Sequence, residues 1–171
     1  AVSNLVVANG FVSARVGTAL ATNIFVTGGE LQLVFNNDFA GQTMTLNGGL
    51  LHGGVGGGNT YEGVVTLATD SEINVDTGSQ LILNNPAGLS GTPYNLTVNG
   101  VGYTGTLILV GTNNTWNSVT CYFGTLQIGN GGTTGSLGGG TITDGGALAF
   151  DLAGNLVMTN PITGSGALNQ I

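Results

Sequence analysis

The segment TDSEINVDTG (69–78) sets Asp70, Glu72, Asn74 and Asp76 at alternate positions. Alternate side chains of an extended strand share a face. The four oxygen-bearing groups would then line one side, with Ile73 and Val75 on the other. Hard cations such as Ca²⁺ take oxygen ligands of this kind, which makes Asp70, Glu72 and Asp76 candidate ligands. The EF-hand pattern itself is not met: its sixth position, a glycine, falls on Val75, and its twelfth, a glutamate, falls on Leu81. The plainer reading is a solvated acidic face opposite a buried Ile73 and Val75.

Asp38, Glu62, Asp144 and Asp151 are further acids. Glycosidase chemistry needs two carboxylates across a cleft, and sequence does not pair them. Lyase chemistry on a β-helix places Arg or Lys beside metal-binding acids, whereas Arg15 is the sole basic side chain here and lysine is absent. His52, in LLHGGVGGG, is the one histidine; it has no second histidine or nearby cysteine to make a metal pair, and it reads as a corner residue. Cys121 alternates with Val119 and Phe123, which predicts an inward thiol packing as a small hydrophobe. Trp116 with Tyr122, and Tyr94 with Tyr103, are candidate aromatics for stacking on sugars, against the alternative of turn or core packing. The glycine-rich GTLQIGNGGTTGSLG (124–138) invites a phosphate-loop reading, but no lysine exists to meet a phosphate and no helix pattern follows. No catalytic residue and no cofactor are expected.

Charge bounds the partners. Eight acids against one base give a formal net charge of -7, so nucleic acid and anionic membranes are disfavoured. TLILV (106–110) is typical of the longest apolar runs, far short of a membrane span. With 33 glycines but only three prolines the chain is neither collagen-like nor polyproline, and 41% hydrophobic content with little charge argues against disorder.

The elements that must position these residues repeat. Short apolar motifs recur as NLVV, GELQLVF, GLLHG, GSQLILN, GTLILVG, GTLQIGN, GALAFDL and GALNQI. One leucine from each (Leu5, Leu31, Leu51, Leu81, Leu107, Leu126, Leu148, Leu168) gives steps of 26, 20, 30, 26, 19, 22 and 20. That is a solenoid-range period. Inside each unit the alternation is two, the signature of half-buried strands. Asn9-Gly10, Asn36-Asn37, Asn47-Gly48, Asn84-Asn85, Asn99-Gly100, Asn113-Asn114 and Asn130-Gly131 fall between strands and mark corners, because Gly and Asn accept positive φ cheaply. No helix is expected. Asn-Gly corners also suit hairpins, but the same residue types return once per unit. The pattern therefore predicts one all-β domain over residues 1–171, a parallel β-helix of about seven coils.

Residues 105–116 (GTLILVGTNNTW), 124–150 (GTLQIGNGGTTGSLGGGTITDGGALAF) and 160–168 (NPITGSGAL) closely resemble the autotransporter-associated β-strand repeat of bacterial surface proteins. The likeness is clear over 105–168 and only compositional before that. It departs at Asn117-Ser118, where the family tends to have a glycine pair, and at Cys121-Tyr122-Phe123. The family's C-terminal membrane barrel is not expected in a chain that stops at Ile171. The resemblance implies a right-handed β-helix, secretion to the cell surface, and a structural or adhesive role without catalytic residues. The stretches 1–11 and 155–171 carry no charged side chain and lack the polar caps of repeat proteins. They imply either a piece of a longer solenoid or head-to-tail stacking of copies into a fibre. Glycans or host proteins bound at a lateral face are the alternative partners, and a polysaccharide-cleaving enzyme is the least favoured reading.

Overall fold

A computed structural model describes residues 3–15, 21–36, 38–39 and 41–171. Asn37, half of one expected corner pair, lies outside the described residues. The chain winds as stacked turns of short strands. The first turn holds β1 (Asn4–Val7) and β2 (Phe11–Ala14), and the second β3 (Asn23–Val26), β4 (Glu30–Leu33) and β5 (Asp38–Phe39). The third holds β6 (Thr43–Leu46), β7 (Leu50–Gly53) and β8 (Gly58–Tyr61), and the fourth β9 (Val64–Leu67), β10 (Ser71–Val75) and β11 (Gln80–Leu83). The fifth holds β12 (Leu89–Ser90), β13 (Asn95–Val98) and β14 (Thr106–Leu109). The sixth holds β15 (Ser118–Cys121) and β16 (Thr125–Gly132), the seventh β17 (Thr141–Asp144) and β18 (Ala147–Leu152), and the eighth β19 (Ile162–Gly164) and β20 (Ala167–Gln170). The described residues contain no helix.

Three sheets form the walls. Sheet A joins β1-β3-β6-β9-β12, sheet B joins β2-β4-β7-β10-β13-β15-β17-β19, and sheet C joins β5-β8-β11-β14-β16-β18-β20. Every strand pair is parallel, each strand lying on its counterpart one turn earlier. This is the β-solenoid that the repeat predicts. It has about eight turns, because the eight leucines fall one to a turn and seven is the number of steps between them; they do not, however, form one file. Leu5 lies on sheet A, Leu31 and Leu51 on sheet B, and Leu81, Leu107, Leu126, Leu148 and Leu168 on sheet C. The long steps from Leu5 to Leu31 and from Leu51 to Leu81 cross from one wall to the next. Within a file, the register advances by as little as 19 residues, Leu107 onto Leu126, and by as much as 26, Leu81 onto Leu107.

The core is the stack of inward side chains. On sheet C, Leu81, Leu107 and Leu126 are 0% exposed and Leu148 is 1% exposed. Burying each such side chain stabilises the fold by about 1.5–3 kcal/mol. Polar stitches hold the corners. Asn99 sits at positive φ (52°) and is fully buried. Its Oδ1 accepts the Val75 N–H of the turn below at 2.8 Å, and its Nδ2 donates to the Gly105 carbonyl at 2.8 Å. Asn114 does the same one turn later, accepting from Leu89 N–H and donating to the Gly111 and Ser136 carbonyls. One expected corner is displaced: Asn130-Gly131 lies inside β16, where Gly129 and Gly131 both take positive φ and the register to β18 shifts between Ile128 and Gly132.

Candidate functional site

Parallel stacking turns sequence neighbours at one-turn spacing into spatial neighbours, and sheet B collects the polar ones. One outward file runs Phe11, Glu30, Leu50, Glu72, Thr97, and the next runs Ser13, Gln32, His52, Asn74. At its centre His52 is only 6% exposed. Its Nδ1 lies 2.6 Å from Glu30 Oε1 and its Nε2 lies 2.9 Å from Asp76 Oδ1. Each ring nitrogen thus meets one carboxylate oxygen, from the turn before and the turn after. Gln32 Nε2 lies 3.3 Å from Nδ1, and the Tyr103 ring meets the imidazole edge to face, centroids 5.1 Å apart. Burial, followed by the nearby charges of Glu30, Asp76 and Glu72, pushes the Tyr103 hydroxyl above its ordinary range. His52 is therefore not a corner residue. It lies within β7 and ties the second, third and fourth turns together.

Beside this cluster, where sheet A turns into sheet B, runs a groove of about 540 Å³. Its lining includes the backbones of Gly28, Gly29 and Gly48 and the side chains of Glu30, Asp70 and Glu72. The glycines are set by the wall. Gly28 and Gly48 take positive φ, and a Cβ on Gly29 would stand 2.8 Å from Val7 Cγ1. A strip without side chains is left at the corner, with acids standing along it.

The alternation read from residues 69–78 survives in part. Ile73 and Val75 are buried inward, while Glu72 and Asp76 are half-buried and Asn74, 3% exposed, is covered by its stacked neighbours. The three candidate cation ligands, however, are committed to different partners. Asp70 accepts hydrogen bonds from Asn95 N–H at 2.9 Å and Asn95 Nδ2 at 3.0 Å, which hold its carboxyl below the usual range. Asp76 faces His52, and Glu72 stands in the groove wall. Among the described residues no group of three or more His, Cys, Asp and Glu is arranged to hold a metal ion.

The aromatic pair divides. Trp116 is 2% exposed and belongs to the core, so its ring is not on a binding surface. It packs inward because Gly138 of the next turn has no side chain to displace it: a Cβ there would stand 2.7 Å from the indole. Tyr122 is 53% exposed at the corner between β15 and β16. Tyr94 and Tyr103 are half-buried. Cys121 points inward as the alternation predicts, whereas Phe123, its partner in that reading, is 43% exposed because β15 ends at Cys121; burial, with Asp144 alongside, pushes the Cys121 thiol up to about 11. Asp38 on β5 and Glu62 after β8 lie on the neighbouring second and third turns, Asp151 on β18 lies on the seventh, and Asp144 is buried on the inward side, 4% exposed. The acids that share a groove are Glu30, Asp70 and Glu72. Glu30 carried no motif. Only its offset of 22 residues from His52, close to one turn, signalled the pairing.

No family model matches the chain, and no solved structure matches it. A 47-residue stretch, 28% of the chain, is 57% identical to part of the adhesin BmaC autotransporter of Brucella suis biovar 1 (strain 1330). The chain spans about 1% of the length of that relative.

Proposed function

We propose that the chain is a non-catalytic stretch of a bacterial surface adhesin, a β-solenoid wall that presents a lateral binding face. The observation that carries this reading is the 57% identity over 47 residues to an autotransporter adhesin, in a chain whose strands all stack in parallel. Sheet B supports it, because Glu30, Asp70 and Glu72 offer an uncovered acidic groove along several turns. The test is adhesion. Beads coated with the purified protein should bind host cells or an arrayed glycan, and uncoated beads should not. Loss of binding when Glu30, Asp70 and Glu72 become amides would place the contact in the groove. Coated beads that bind no better than bare ones would remove the proposal.

A second reading, end-to-end stacking into a fibre or a longer rod, is favoured by the last turn. Ile162 is 37% and Leu168 61% exposed there, whereas Ile142 and Leu148, one turn earlier in the same files, are 0% and 1%. A further layer laid on β19 and β20, from a second copy or from the same polypeptide, would bury them. Sedimentation over a wide concentration range tests the self-association arm: growth into rods supports it, and a strict monomer opposes it.

A further inference from the structure

The chain holds four Asn-Gly pairs: Asn9-Gly10, Asn47-Gly48, Asn99-Gly100 and Asn130-Gly131. All four share one chemical liability. The glycine nitrogen, unshielded by a Cβ, attacks the Cγ of the asparagine. A C–N bond forms, ammonia leaves, and a cyclic imide results. Water then opens the imide at either carbonyl, giving aspartate or isoaspartate. The step requires a carboxamide free to rotate and a glycine N–H free to act.

The fold treats the four sites differently. The Asn99 carboxamide is buried and held at both ends, accepting from Val75 N–H and donating to the Gly105 carbonyl, each at 2.8 Å. Its would-be nucleophile, the Gly100 N–H, donates to Asn74 Oδ1 at 2.8 Å. Both reacting groups are locked. Asn9, Asn47 and Asn130 are exposed, and their side chains make no hydrogen bond among the described residues. The Gly48 N–H reaches only Ser71 Oγ, at 3.4 Å. Two of the exposed sites also occupy one place in the fold: Gly10 and Gly48, the partners of Asn9 and Asn47, line the groove that carries Glu30, Asp70 and Glu72.

We infer that Asn9, Asn47 and Asn130 are sites of spontaneous deamidation in the folded protein and that Asn99 is a protected one. The corner beside the acidic groove thus gains two carboxylates with age, while the buried stitch between the fourth and fifth turns persists.

Timed incubation of the folded protein in mildly alkaline buffer, followed by peptide mapping by mass spectrometry and isoaspartate detection, tests this. Conversion is expected at Asn9, Asn47 and Asn130, with Asn99 slower by about tenfold or more, since it must wait for local opening. Under denaturant all four sites should convert at comparable rates, and Asn47→Gln should remove one signal and leave the rest. Two outcomes overturn the inference: Asn99 converting as fast as Asn47 in the folded protein, or the exposed sites remaining intact while the denatured chain converts.

Discussion

At the scale of single residues, the imidazole of His52 supports more of the wall than its lack of a sequence motif suggests. Glu30 and Asp76 are half-buried, with side chains 28% and 24% exposed, and each gives an oxygen to the ring. Replacing His52 by Gln removes the ring that joins the two carboxylates. A charge-assisted hydrogen bond contributes about 1.5–3 kcal/mol, so His52→Gln should cost about 2–3 kcal/mol, read as a lowered denaturant midpoint at unchanged slope. Asp144 and Asp70 make an opposed pair. Burial raises the Asp144 carboxyl above its unfolded value. Its contribution is therefore fully present below the ordinary carboxylate range and is lost as pH rises through the raised value. Asp144→Asn, which can still accept the Gly146 N–H bond, should melt higher than the parent at neutral pH, and the gap should close in acid. Asp70 is lowered by its Asn95 bonds, so its contribution is present above the unfolded value and lost as pH falls through the depressed one. Asp70→Asn should accordingly blunt the acid limb of the stability profile. Thermal melts across pH read both effects.

At the scale of elements, each strand needs the corner before it, and the buried asparagines fix those corners. Asn99→Ala would strand the buried Val75 N–H, at about 1–3 kcal/mol, while the Gly105 carbonyl keeps the Thr125 N–H. Asn99→Gly loses the same bonds but accepts φ of 52°, so it should be less damaging by roughly 1 kcal/mol. Paired chemical denaturation of the two variants separates bonding from backbone strain. This is also where the sequence was most and least legible. Alternation points Ile73, Val75, Val119, Cys121 and Phe123 inward; the first four are buried, but Phe123, beyond the end of β15, is 43% exposed. The reason is physical: a two-residue period leaves a strand one face to hide. The Asn-Gly dipeptide was less informative. It marks a turn at Asn47-Gly48 but falls inside β16 at Asn130-Gly131, because positive φ serves an irregular strand as well as a corner. The polar cluster was hidden for a different reason. Its members, Glu30, His52 and Asp76, lie 22 and 24 residues apart, and only a known register brings such positions together. Trp116 shows the converse: residue type alone leaves sugar stacking and the plainer core packing both open, and the glycine stacked on it accounts for the core position.

At the scale of the whole molecule, eight turns at the ordinary interstrand spacing make a wall roughly 34 Å long. Each turn touches only its neighbours along that axis, so stability is distributed rather than pooled in one centre. Native-state hydrogen exchange should therefore grade along the wall. The amides of β7, β10 and β13, with turns on both sides, should exchange slowest. Those of β19 and β20, whose every residue is exposed, should exchange fastest by about tenfold or more. Uniform protection from β2 to β19 would mean that the molecule opens only as one unit, contrary to a nearest-neighbour wall.

The unequal turns carry one last consequence. Leu81 meets Leu107 after 26 residues and Leu107 meets Leu126 after 19, yet the leucine column runs on without a break. Surplus chain is shed at the bends and never enters the masonry. Length can therefore be added or removed at the bends without moving the residues that stack behind them, so insertions there should leave the melting temperature nearly unchanged, whereas the same insertion inside a strand should lower it.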